Sequence, residues 1–317
     1  MPKNAHAITL EIPMYAVMGF YTQAREFNPP EGIKYVLYAG WPGSALNGGR
    51  VNGMFDGHNG VKQCTGLYAN PAQEPLPAMK SHFLECIEKA NRKGHAVYLT
   101  YSNFFALSET FNSENALPLE RLAESGERHG IRNGVVLAND EIKAWVKSKV
   151  GSSLDYVCSC TKFYASNLKL GRYEMIESYK KVLEEFDYVV IAPPDSSIEE
   201  QLDAIPDEKR EKIIAVVDSP CSESCNSFWH YAGTSVLNIL LAIEKSHVDY
   251  ERFDDFLGEM ALLKVSECDS VHDDHLLQRR TEMLLSKGYS YFKLGRSSAQ
   301  AQLMVRIGAV VSHLACR

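Results

Sequence analysis

The sequence predicts an α/β chain folded as a (β/α)8 TIM-like barrel, with a helical insertion between the last two strands. Three observations lead there. Eight short β-rich runs alternate with amphipathic stretches, an order that implies parallel strands joined by right-handed crossovers. The chain has 317 residues, enough for eight such units as one domain. No G-x-G-x-x-G follows the first run, which weakens the dinucleotide-binding open sheet as an alternative.

The elements follow in order. Strands are expected at 8–14, 35–39, 96–101, 134–138, 154–158, 188–192, 213–217 and 289–294. Helices are expected at 78–90, 119–129, 140–149, 173–186 and 197–204, where apolar residues recur at three- and four-residue spacing. Two connections are too long for plain crossovers. Residues 41–75 are rich in glycine (Gly43, Gly48, Gly49, Gly53, Gly57 and Gly60) and follow a strand, on the face where barrel active sites lie. Residues 218–288 hold helical patterns at 235–244, 253–263 and 275–286, read as an insertion packed on the barrel. Residues 1–317 are thus expected to form a single barrel domain, without internal repeats or low-complexity segments.

Composition narrows the function. Thirty-three basic residues against 40 acidic ones give a net charge of −7, which excludes a protein that coats nucleic acid by bulk electrostatics and leaves room for a local basic pocket. No apolar run approaches the ~20 residues a membrane helix needs. The start, Met1-Pro2-Lys3-Asn4, lacks the apolar core of a signal peptide, so a cytoplasmic protein is expected.

Eight cysteines are the one oddity. In a reducing compartment they serve as apolar fillers, nucleophiles or metal ligands. Cys64, Cys86, Cys268 and Cys316 stand alone and read as packing residues. Cys158 and Cys160 form C-x-C at the end of the fifth strand, where alternation would turn both thiols to one side. Cys221 and Cys225 form C-x3-C after the seventh strand, on the same face of a barrel. Four converging thiolates suit a [4Fe–4S] cluster or tetrahedral zinc. The tight C-x2-C knuckles of zinc ribbons are missing, which favours the bulkier cluster and keeps zinc as the alternative.

Further groups fall on strand ends. Lys293 and Arg296 close the eighth strand, where barrels commonly border a phosphate, and Arg50 lies in the glycine-rich loop; the three are candidates to bind an anion. Asn103, Asn139 and Asp218 each follow a strand. Asn103 is a candidate to orient substrate, whereas Asn139-Asp140 reads first as a helix cap. His230 and Asp218 are the candidates to move protons. His272-Asp273-Asp274-His275 resembles a metal motif but opens a helix, where acidic residues face the dipole, so the solvated reading wins. Lys162, Lys169 and Arg172 are too sparse a basic patch to read as a nucleic-acid site.

Three segments together resemble a known family. They are Gly288-Tyr289-Ser290-Tyr291-Phe292-Lys293-Leu294-Gly295-Arg296, the stretch from Val217-Asp218-Ser219-Pro220-Cys221 through Cys225 to His230-Tyr231, and Gly134-Val135-Val136-Leu137-Ala138-Asn139-Asp140. They are similar to motifs of the collagenase-like peptidase superfamily, whose relatives include anaerobic ubiquinone-hydroxylation and RNA-hydroxylation proteins. The resemblance runs from about residue 35 to 296. It implies a barrel and, for several relatives, a four-cysteine iron–sulfur cluster. Asp218 and Asn226 depart from the family pattern, and the long cysteine-rich signature of its peptidase-like and RNA-acting members is missing. No Ser–His–Asp set or H-E-x-x-H is present, so peptidase activity is discounted.

The expectation is therefore an iron–sulfur barrel enzyme or enzyme subunit. It would carry out oxygen-independent hydroxylation, or a related redox modification, of an anionic small molecule or nucleotide. The alternatives are a zinc-dependent hydrolase or lyase on the same barrel and a non-catalytic partner subunit. A homologous barrel or a second copy is the expected protein partner.

Overall fold

In a computed structural model of the chain, the eight apolar runs pair in sequence order, each parallel to the next, and the eighth returns to the first to close a barrel. The structure describes residues 8–14, 32–42, 44, 46–47, 76–103, 108–162, 172–191, 199–217, 274–294 and 310. The strands are β1 Ile8–Pro13, β2 Ile33–Ala39, β3 Ala96–Tyr101, β4 Gly134–Leu137, β5 Asp155–Cys158, β6 Tyr188–Ile191, β7 Ile213–Val216 and β8 Tyr291–Lys293. Between them run helices α1 Leu76–Arg92, α2 Ser113–His129, α3 Asp140–Val150, α4 Arg172–Val182, α5 Glu199–Asp203 and α6 Asp274–Ser286. Of the insertion expected at 218–288, α6 is the described helix; those expected at 235–244 and 253–263 lie outside the described residues.

All eight expected strands form, with boundary shifts that have local causes. β8 starts at Tyr291 rather than Tyr289, because Tyr289 is held by two helices: its N–H donates to Leu284 O of α6 and its hydroxyl to Leu202 O of α5. Helix α2 starts at Ser113, six residues before the expected Leu119. Asn112 caps it by accepting a hydrogen bond from the Asn115 N–H at 3.0 Å, and the helix then tolerates Pro118 inside it. Its far end stops at Gly130, whose φ of 66° is the left-handed conformation that glycine adopts without steric cost.

Alternation along each strand sorts the core into two layers. Leu10, Leu37, Val97, Leu99, Val135, Leu137, Val189, Ile191, Ile213 and Phe292 belong to a large cluster with Phe83, Ile87, Leu119, Leu122, Ile142 and Val146 of α1, α2 and α3. This is the layer between barrel and helices. Burying each Leu, Ile or Val there contributes roughly 1.5–3 kcal/mol. Val36, Tyr38, Ala96, Tyr98, Val136, Val157, Val190, Ile214, Val216 and Tyr291 occupy the alternate positions and form the smaller cluster inside the barrel. A barrel interior is commonly stacked from branched aliphatic residues. Here three tyrosines share it, and β1 and β8 add a charged pair.

Candidate functional site

That pair is Glu11 and Lys293. Leu10 and Ile12 pack toward the helices, so Glu11 between them points inward. Its register partner on β8 is Lys293, the last residue of that strand, at the end of the barrel where parallel strands finish. The Lys293 ammonium donates to Glu11 Oε1 in a short ion pair. The same ammonium lies 3.7 Å from the ring centroid of Tyr38, a favourable cation–π position. The Tyr38 hydroxyl donates to Leu294 O at 2.8 Å, which holds the ring in place.

Glu11 is fully buried, and its second oxygen, Oε2, has no hydrogen-bond partner among the described residues. Two positions before Lys293, on the same inward face of β8, Tyr291 is also buried, and its hydroxyl lies beside that of Tyr98. Burial raises the Tyr291 pKa well above that of a free phenol, so it stays protonated and able to donate. Toward the opposite end of the barrel, Tyr98 donates to Asp155 Oδ2 at 3.0 Å, and Arg132 donates to Asp155 Oδ1. Burial raises the pKa of Asp155, while the hydrogen bonds from Arg132 and Tyr98 pull it back.

The sequence-derived candidates divide into those the structure describes and those it does not. Lys293 lies at the barrel mouth as expected, but its charge is already met by Glu11. A substrate anion brought to that pair would also meet the carboxylate. Two like charges ~4 Å apart at an effective dielectric near 20 repel by about 4 kcal/mol. Asn103 is fully buried, and its main-chain N–H bonds to Leu46 O at 3.0 Å while its side-chain amide donates toward Asn47 O. It braces the start of the loop after β2 against the end of β3. Asn139 caps α3, accepting from the N–H groups of Glu141 and Ile142 at 2.8 and 3.2 Å. Cys86 is a fully buried packing residue, as its isolation suggests. Arg50, Asp218, Cys221, Cys225, His230 and Arg296 lie outside the described residues.

Cys158 and Cys160 do not turn to the same side. Cys158 is the last residue of β5 and packs in the layer between barrel and helices, whereas Cys160 packs with the inward-facing residues. Strand alternation stops applying at Ser159, where the chain leaves the sheet, and a helical turn begins at residue 160. A polar knot holds that turn: Thr161 Oγ1 bonds to Ser159 Oγ at 2.8 Å and donates to Ser102 O at 3.2 Å. Lys162 reaches both carboxylate oxygens of Asp140 at 2.7 Å. Burial pushes the Cys158 thiol pKa far up, and its S–H points to Ser159 O. Among the described residues no group of three or more His, Cys, Asp or Glu side chains is placed to hold a metal ion.

Glu11 is the residue that sequence reasoning missed. Its signal is visible afterwards: one charge inside Ile-Thr-Leu-Glu-Ile-Pro, in a strand buried on both faces. Lys293 in Tyr-Phe-Lys is the same signal on β8.

No helix among the described residues is long and apolar enough to cross a membrane. No family model matches the chain, and no curated protein matches it. A solved structure described as the U32 peptidase Mk0906 is similar over 78% of this chain and 82% of that one, at 12% sequence identity and a TM-score of 0.42. By its name that neighbour is a U32 peptidase.

Proposed function

We propose that this barrel is an enzyme that binds an anionic small molecule or nucleotide at the C-terminal mouth. The observation that carries the reading is the ion pair of Glu11 and Lys293 inside the barrel at that end. A buried pair of this kind is a poor source of stability, because desolvation offsets most of the Coulombic gain. Its position beside a partner-free carboxylate oxygen suits a site that holds a ligand. In this reading Lys293 fixes Glu11, and the negative charge of the substrate is met by Arg50 and Arg296, which follow β2 and β8 in sequence.

The finer reading adds a [4Fe–4S] cluster at Cys158, Cys160, Cys221 and Cys225, with zinc as the alternative, and an oxygen-independent hydroxylation or related redox modification. His230 and Asp218 are its proton-moving groups. In its favour, the two cysteine-bearing segments follow β5 and β7, strands with only β6 between them. Against it, Cys158 and Cys160 pack in different layers, so the described half of the donor set does not fit one four-thiolate centre. No step is routed through the cluster for that reason.

Two measurements test the proposal. Titration calorimetry with inorganic phosphate and with adenosine monophosphate is expected to show binding to the native chain, weakened about tenfold or more in Arg296→Met. No binding of either anion overturns the substrate reading. Anaerobic reconstitution with iron and sulfide, followed by metal and sulfide analysis, tests the cofactor. A colourless product without bound iron removes the cluster, and stoichiometric zinc in its place selects the alternative.

A further inference from the structure

We infer that Glu11 is the substrate-facing group of the barrel interior: its free oxygen Oε2 accepts a hydrogen bond from a hydroxyl group of the bound molecule. The substrate class is then a hydroxylated anion, such as a polyol or sugar phosphate or the ribose of a nucleotide, rather than a bare carboxylate or phosphate. This rests on the mouth-site reading above and deepens it.

Three observations support it. Glu11 is fully buried and projects into the barrel, yet one of its two carboxylate oxygens is unpartnered among the described residues. Buried polar atoms in folded proteins nearly always find a partner, so an orphan acceptor points to a group that arrives later. The other oxygen is held by Lys293, which fixes the orientation of the carboxylate and lowers the cost of ordering it when the ligand binds. A hydroxyl group brings the donor that this acceptor lacks. An anion cannot do so, because it brings only acceptors and a charge that Glu11 repels.

The test compares glycerol 3-phosphate, which carries two hydroxyl groups, with propyl phosphate, which has the same chain length and charge and none. Binding to the native chain is expected to favour glycerol 3-phosphate about tenfold or more, the size of a hydrogen bond to a charged acceptor. Glu11→Gln presents an amide in place of the carboxylate and is expected to lose most of that preference, with propyl phosphate bound at least as tightly as by the native chain, because the repelling charge is gone. Equal binding of the two probes to the native chain overturns the inference and leaves the anion-binding reading standing. Failure of both probes to bind overturns the two together. A folded Glu11→Gln that keeps the full preference also overturns it, and would leave Glu11 as a partner for Lys293 alone. If Glu11→Gln does not fold, the double variant Glu11→Gln with Lys293→Met, which leaves no unpaired charge in the barrel, takes its place. It is expected to lose the preference for glycerol 3-phosphate over propyl phosphate, and a preserved preference there overturns the inference.

Discussion

The side-chain amides of Asn91 and Asn133 hydrogen-bond to each other in both directions, each at 2.8 Å. Both residues are about 1% exposed. Asn91 also donates to His95 O at 2.9 Å, while Asn133 donates to Leu122 O and accepts from the Val97 N–H, both at 2.8 Å. One pair of amides thus ties the end of α1, the start of β3, the inner face of α2 and the entry to β4. Every donor of the two amides is used.

Asn133→Ala is expected to destabilise the chain by roughly 2–4 kcal/mol, because it leaves the Val97 N–H, the Leu122 carbonyl and the Asn91 amide buried and short of partners. Urea unfolding would show this as a lower midpoint. Asn133→Asp keeps the acceptor to Val97 but loses the donors, and should fall no closer to the native value than Asn133→Ala, since it also buries a charge.

Gly134 opens β4 directly against the ring of Tyr98. A Cβ there would lie 2.7 Å from Tyr98 Cε1 and 2.8 Å from Cδ1. The ring cannot swing aside, because its hydroxyl is bonded to Asp155. Gly134→Ala is expected to cost about 1–3 kcal/mol through overpacking. A double-mutant cycle with Tyr98→Leu should show that most of this cost disappears when the ring is gone. An unchanged cost in the Tyr98→Leu background would show that the strain lies elsewhere.

Glu88 of α1 joins α2 by accepting hydrogen bonds from Ser125 Oγ at 2.9 Å and Arg128 at 3.0 Å, with His129 Nε2 at 2.7 Å. Arg92 approaches the same carboxylate at 3.8 Å. The hydrogen bond with His129, chiefly, lowers the Glu88 pKa to about 2, with the bond from Ser125 and the charge of Arg128 adding to it. The folded-state value lies below that of the unfolded chain, so the contribution is complete above the ordinary carboxylate range and is lost as pH falls toward the folded value. Between about pH 4.5 and 2, the native chain should therefore lose stability more steeply than Glu88→Gln. Thermal unfolding at several acidic pH values checks this, and parallel curves would refute it.

Cys86 is fully buried, and desolvation raises its pKa to about 11. The reactive form of a cysteine is the thiolate, so this residue is expected to resist alkylation at pH 8 while the chain is folded and to react once it unfolds. Mass spectrometry of iodoacetamide-treated protein, with and without urea, reads the difference at Cys86 directly. Rapid labelling without urea would mean that α1 opens locally at low cost.

The barrel was legible because its signal is repeated and local. Each apolar run is bounded by turn residues, and each helix repeats its apolar positions every three or four residues. The Asn139 cap was also legible, since the capping residue and the helix it opens are neighbours in sequence. What stayed hidden depended on where a strand ends. The reading of Cys158 and Cys160 assumed two more residues of pleat than β5 has, and one residue of error in a strand turns a side chain to the other face. Glu11 was hidden for a different reason. A lone charge in an apolar run gains meaning only when its partner is known, and Lys293 comes from the other end of the chain.

Glu11 and Lys293 are 282 positions apart in sequence. They lie on the two strands whose pairing closes the barrel, where Leu294 N–H bonds to Glu11 O at 2.9 Å and Thr9 N–H to Ser290 O at 2.8 Å. Contacts this distant in sequence are slow to form, because a long stretch of chain must be ordered first. During synthesis β1 waits, with a carboxylate on its inner face, until β8 has left the ribosome. The mouth of the barrel is therefore the last part of the molecule to be assembled. Until the seam closes, neither charge has its counterpart, so a nascent chain completes this buried pair and its closed barrel in the same step.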